Sequence, residues 1–184
     1  MKRKTSGPPP DAGTDWPGAI HRALKSLRVR QVSYVPDAGH KRLIELCQAD
    51  RSMAPVPLTT EEEGIGVAAG AWLGGERAAL LMQSSGVGNC VNALTLAANC
   101  GFPLLMIVTM RGEWGEFNPW QIPMGQATPD VLRLGGVRTL RLESAEAAFE
   151  TVSAAAKLAF DGYGAVAVLI AQRLIGTKSF ADKP

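Results

Sequence analysis

Two stretches of this chain, LLMIV at Leu104–Val108 and AVAVLI at Ala165–Ile170, are apolar without a break. A strand with one face in water alternates polar and apolar residues, so strands that read this way are covered on both faces. The arrangement that does so is a parallel sheet with helices above and below. The remaining segments supply the other layers. The pattern predicts a helix near Trp16–Leu27, a strand Gln31–Val35, a helix near His40–Asp50, a short strand ending at Leu58 and a helix Glu61–Leu73. A strand Ala78–Met82, a helix Gly88–Asn99, a strand Leu104–Met110 and a Gly/Pro/Trp-rich loop Arg111–Ala127 follow. The last elements are a helix near Pro129–Leu134, a strand Val137–Leu142, a helix Ala145–Phe160 and a strand Ala165–Ala171. The expected fold is α/β, a doubly wound, mainly parallel six-stranded sheet with helices on both faces. Ligands of such sheets bind at the carboxyl ends of the strands, so the loops after Leu58, Met82 and Met110 are the ones to search.

The 184 residues, 46% of them hydrophobic, suit one domain with a proper core. Residues 1–14, MKRKTSGPPPDAGT, form a basic, proline-rich tail with no apolar period, expected to be disordered, which leaves 15–184 for the α/β domain. The tail has no apolar h-region and so does not read as a secretory signal. A net charge of +2 is too balanced for a nucleic-acid footprint. No segment approaches the roughly 20 apolar residues of a membrane span. Cys47, Cys90 and Cys100 are odd in number and lack CxxC spacing, which fits reduced thiols in a cytoplasmic protein and offers no metal site.

TTEEEGIGVAAG at Thr59–Gly70 places three glutamates at the start of a helix otherwise stripped to small residues. A capped first turn, with Thr59 or Thr60 as N-cap, accounts for two of the acids and leaves one free to point inward. Gly64-x-Gly66-x-x-Ala69 has the spacing of a dinucleotide fingerprint, but the glutamates would repel a diphosphate at that helix N-terminus. Ser84-Ser85-Gly86-Val87-Gly88-Asn89 lies between a strand and a helix. It reads either as a set of free backbone N–H groups for a polar ligand or as a plain connection capped by Ser85 or Asn89.

Together, TTEEEGIGVAAGAWLGG, LLMQSSGVGNCVNAL, PLLMIVTMRGEWG and PMGQATPDVL resemble the pyrimidine-binding domain of thiamine diphosphate enzymes, and within it the sulfopyruvate and phosphonopyruvate decarboxylases. The resemblance covers roughly Gln31 to Thr177. The family's catalytic glutamate lies nine residues before the glycine closing its A-A-G stretch; counted back from Gly70, this is Glu61, while Glu62 and Glu63 are out of register. In the family that carboxyl group, shielded and near-neutral, donates to N1′ of the aminopyrimidine, and the activated cofactor takes up the electrons released as CO2 leaves a 2-oxo acid. The resemblance assigns Glu61, Ser85, Gly86, Gly88 and Asn89 to the cofactor. It also implies Mg²⁺ bound by a GDG-containing motif, which this sequence lacks. The expectation is therefore half an active site, an alpha subunit completed by a beta subunit that carries the diphosphate and metal half.

Candidate substrate contacts are His40, at a strand-to-helix turn on the ligand side, Gln83, Arg111 and Gln121. Arg111 suits a sulfonate, phosphonate or carboxylate, or else an ion pair with Glu113 or Glu116. Where relatives carry an E-P-Q-H stretch, this chain has Trp120-Gln121-Ile122-Pro123, so Gln121 stands as a neutral substitute for a pocket histidine. Trp114, Phe117 and Trp120 read as a lid or partner contact, or as a packed Ω-loop. The expected function is decarboxylation of sulfopyruvate, a small anionic 2-oxo acid. The alternatives are phosphonopyruvate or another 3-substituted pyruvate and, in a different class, a non-catalytic module of the same fold.

Overall fold

The computed structural model describes residues 15–176; the tail 1–14 and residues 177–184 lie outside them. In chain order the elements are α1 (Trp16–Ser26), β1 (Val29–Tyr34), α2 (Lys41–Ala49), β2 (Ala54–Pro57), α3 (Glu61–Leu73), β3 (Arg77–Gln83), α4 (Ser84–Asn89), α5 (Leu94–Cys100), β4 (Leu104–Thr109), a 3-10 turn (Pro119–Gln121), α6 (Ile122–Leu134), β5 (Arg138–Leu142), α7 (Ala148–Phe160), β6 (Ala165–Ile170) and α8 (Gln172–Ile175). All six strands are parallel, in the order β2-β1-β3-β4-β6-β5.

The unbroken apolar runs are explained by where alternate residues go. Leu105, Ile107, Val166, Val168 and Ile170 pack under α1, α2 and α7, where Ile20, Leu24, Leu43 and Val152 meet them. Leu104, Met106, Val108, Ala167 and Leu169 face α3 to α6, against Ile65, Val87, Leu94 and Leu132. Each strand thus feeds two cores. No helix among the described residues is long and apolar enough to cross a membrane.

Besides shifts of a few residues at other ends and the short unexpected α8, two parts of the chain differ from the sequence reading. The predicted helix Gly88–Asn99 is two helices, and Ser84–Asn89, read as a loop, is the first of them. Its two glycines disfavour a helix on propensity alone, but tertiary packing decides. The Thr128 hydroxyl from α6 donates to the Ser84 carbonyl at 3.3 Å, and the buried Ser84 hydroxyl accepts from the Arg111 N–H at 3.1 Å. Further on, the long loop ends at Asn118 and α6 begins at Ile122, because Pro123, rather than Pro129, occupies the first turn. Pro129 lies inside the helix. Gly125, one turn earlier, lets α6 press on the Arg111 carbonyl, which any Cβ there would overlap.

Candidate active site

At the first turn of α3 the three glutamates part ways. Glu63 turns back to accept the Thr59 N–H at 2.9 Å, and Glu62 accepts the Thr60 hydroxyl, both at the exposed surface. Thr60 occupies the N-cap position, but its hydroxyl goes to Glu62 rather than to the helix backbone. Glu61 points inward and is only 8% exposed. Its Oε2 accepts from the Asn89 side-chain amide at 2.7 Å. Two glycines make this position possible. A Cβ on Gly86 would overlap the Glu61 carboxyl group, and one on Gly64 would strike Leu80 and Leu58, holding α3 off the sheet. By contrast Gly66 and Gly70 look onto open space.

A cavity of about 360 Å³ opens beside Glu61, lined also by Ser85, Gly86, Asn89, Trp120, Gln121 and Met124. Gln121 Oε1 is buried here without a hydrogen-bond partner. Gly88 does not line the cavity; its missing side chain makes room for the Met124 sulfur, 3.3 Å from where a Cβ would stand. Cys90, at the end of α4, is buried, and burial above all pushes its thiol up to about 12, so it stays an inert thiol.

A second cavity, of about 130 Å³, lies at the ends of β1, β3 and β4 and is lined by Asp37, Gln83, Thr109, Arg111, Phe117 and Gln172 among others. Gln83 and Thr109 are register partners on β3 and β4, and both reach Asp37. The Gln83 amide donates to Oδ1 at 3.0 Å and the Thr109 hydroxyl to Oδ2 at 2.7 Å. The Ser85 hydroxyl donates to Oε1 of the Gln83 side chain at 2.8 Å, so Gln83 links the two cavities.

Two substrate expectations change. His40 lines neither cavity. It is fully buried beneath the strand ends, with Nε2 3.1 Å from the carbonyl oxygens of both Met82 and Ile107. Both are acceptors, so Nε2 carries the proton, while Nδ1 is unpartnered and burial lowers the pKa of the ring. A histidine at the mouth of a predicted ligand loop is here a strap inside the fold. Arg111 does line the second cavity, but its guanidinium is engaged by Glu116, through Nε at 2.7 Å and also through Nη2. The ion pair considered from the sequence is the one that forms, with Glu116 and not Glu113, which instead pairs with Arg141.

Asp37 and Gln172 were not singled out by sequence reasoning, and Glu116 was considered only as an ion-pair partner of Arg111. The available signal was position: Asp37 lies three residues beyond the end of β1 and Gln172 two beyond the end of β6, at the carboxyl edge of the sheet.

Residues 17–121 match the model of the thiamine pyrophosphate enzyme, N-terminal TPP binding domain. This chain belongs to that family. It is 39% identical over 153 residues to the sulfopyruvate decarboxylase subunit alpha of Methanothermobacter thermautotrophicus, covering 83% of this chain and 93% of that one. It is also 39% identical over 113 residues to the phosphonopyruvate decarboxylase of Streptomyces viridochromogenes, covering 60% of this chain but 28% of that enzyme. Among solved structures, 2-oxoglutarate:ferredoxin oxidoreductase from Magnetococcus marinus superposes with a TM-score of 0.69 at 14% identity, over 87% of this chain and 29% of that one. That likeness shows the fold alone, an α/β architecture on a parallel sheet.

Proposed function

We propose that this chain is the alpha subunit of a cytoplasmic thiamine diphosphate-dependent 2-oxo acid decarboxylase. It would act on sulfopyruvate to give sulfoacetaldehyde and CO2, with a beta subunit carrying a GDG-type motif holding Mg²⁺ and the diphosphate. The observation that carries the reading is the one inward glutamate of three, Glu61, seated against backbone cleared by Gly86 and facing a cavity. The residues fit the aminopyrimidine end of the cofactor. Glu61 offers a carboxyl group for a ring nitrogen, Gln121 an unpaired amide oxygen for an exocyclic amine, and Met124 with Trp120 apolar walls. When bound, thiamine diphosphate supplies the thiazolium carbon that adds to a keto group and accepts the electron pair of decarboxylation.

Each residue then has a task. Glu61 holds the proton that the pyrimidine nitrogen needs, Asn89 fixes the orientation of the carboxyl group, and Gly86 keeps its place open. Gln83 and Asp37, hydrogen-bonded to one another, line the adjoining cavity where a 2-oxo acid would lie against the cofactor. Support for the alpha-subunit reading comes from relatives of that name being matched over 93% of their length. The sulfonate preference rests on the names of these relatives, because the Arg111 guanidinium is already paired within the chain. The test is a side-by-side assay of sulfopyruvate, phosphonopyruvate and pyruvate on the chain combined with its beta subunit. Sulfopyruvate is expected to be consumed much the fastest. Faster turnover of phosphonopyruvate would move the substrate assignment to that acid, and equal or better turnover of pyruvate would remove the dianionic class altogether.

A further inference from the structure

Glu116 has no part in the chemistry above, yet its side chain is only 3% exposed and donors surround it. Besides both nitrogens of the Arg111 fork, it accepts the backbone N–H of Gly112 at 3.1 Å, that of Asn118 at 3.0 Å and the Gln172 side-chain amide at 2.9 Å. Arg111 holds its carboxyl group well below the usual carboxylate range, at about 2. The four groups come from both ends of the loop and from the start of α8. Left without an acceptor, these partly buried donors would each be costly, so the arrangement is a cradle shaped for one carboxylate.

The cradle reaches both cavities. Arg111 and Gln172 line the Asp37 cavity. On the other side, the Asn118 carbonyl accepts the Gln121 N–H at 3.0 Å, and the 3-10 turn so fixed carries Trp120 and Gln121 into the Glu61 cavity. Oε1 of the Gln172 side chain also takes the N–H groups of Glu113 and Trp114, so the loop is tied to the start of α8.

We propose that Glu116 is a positioning residue for both cavities, and that its carboxylate fills an anion cradle which a small free carboxylate can refill once the side chain is removed. Glu116 acts through Arg111, Gln172 and Asn118 and touches no reacting atom. Its effect on turnover rests on the decarboxylase reading; the cradle itself does not.

The experiment uses the full chain with Glu116→Ala, unfolded thermally at neutral pH in sodium formate or in sodium chloride of the same ionic strength. The midpoint of the variant is expected to lie below that of the wild type in chloride and to climb with formate, while the wild type behaves alike in both salts. Amide exchange at Gly112 and Asn118 should speed up by about 10- to 100-fold, as loss of a charge-assisted bond implies, and slow again in formate. Glu116→Gln fills the space, so formate should not change its behaviour. If Glu116→Ala fails to fold in chloride, its refolding yield in formate is the reading. Identical melting, exchange or refolding in the two salts would overturn the cradle. With the beta subunit present, formate should lower the raised KM of Glu116→Ala for the 2-oxo acid more than it changes kcat. An unchanged KM alongside formate rescue of the chain alone would remove the positioning role and leave the cradle.

Discussion

Glu61 and Glu116 are both carboxylates folded away from water, and the chain equips them in opposite ways. Glu61 has Asn89 as its single hydrogen-bond donor among the described residues, a neighbouring glycine that keeps backbone away and a cavity in front of it. Glu116 is surrounded by an arginine, two backbone N–H groups and an amide, with each oxygen occupied. A carboxyl group that must exchange a proton with a ligand has to keep a face open. One that holds a loop must have every lone pair used. On the proposed reading, the contrast separates a reacting group from a fastening one where burial alone does not.

The largest expected effect breaks the comparison at Glu61. Glu61→Gln should keep the fold and subunit assembly while lowering turnover of the complex by at least about a hundredfold, the scale of general acid–base catalysis. Glu62→Gln and Glu63→Gln, at the exposed cap, should do far less. Steady-state kinetics on the three variants decides it, and a greater loss with Glu63→Gln would mean that the register from Gly70 is wrong.

Next comes Gly86→Ala, which places a methyl group where the Glu61 carboxyl sits. Overpacking of that kind costs about 1–3 kcal/mol. Thermal unfolding should show that loss together with weaker cofactor binding, since the carboxyl group must move; unaltered stability and binding would mean that α4 yields freely.

The pH dependence of the loop sharpens the Glu116 side. Its pKa falls from the ordinary 4.5 to about 2, first through the Arg111 hydrogen bonds. The stabilisation is therefore fully present above the unfolded value and is lost as the pH falls through the folded one. Amide exchange at Gly112 and Asn118, corrected for the intrinsic rate, should stay protected down to about pH 4 and lose that protection between there and about pH 2. Loss of protection already at pH 5 to 6 would contradict the cradle geometry.

The smallest effect is expected at Asn89, whose amide contributes one bond at a partly exposed site. Asn89→Ala should cost about 1 kcal/mol in stability, with a modest fall in kcat measured in the complex. A loss equal to that of Glu61→Gln would make Asn89 more than an orienting group.

Much of this was legible in the sequence because it depends on local period and spacing. The unbroken apolar strands gave the parallel sheet, and the helix from Glu61 to Leu73 has the predicted bounds. Glu61, Ser85, Gly86 and Asn89 came from short motifs and do line one cavity, but that Gly86 leaves room for the Glu61 carboxyl group shows only where α3 and α4 meet. The second cavity was legible only in part: Gln83 and Arg111 were candidates from the loops after Met82 and Met110, but the cavity is made where β1, β3, β4 and β6 end side by side, and only the strand order brings Asp37, Thr109 and Gln172 to them. His40 misled for the same reason: a position beside the ligand loops does not reveal that the ring turns inward to the carbonyls of Met82 and Ile107. Arg111 has both of its sequence-level readings available until the fold supplies Glu116 as the nearer anion.

On the proposed reading, this chain contributes the pyrimidine half of a shared site. Isothermal titration calorimetry with thiamine diphosphate and Mg²⁺ tests it, on the chain alone and after mixing with the beta subunit. The chain is expected to be folded and to bind the cofactor tightly only in the mixture, where a bridging ligand also stabilises the complex by linkage. Tight, Mg²⁺-dependent binding by the chain alone would contradict it.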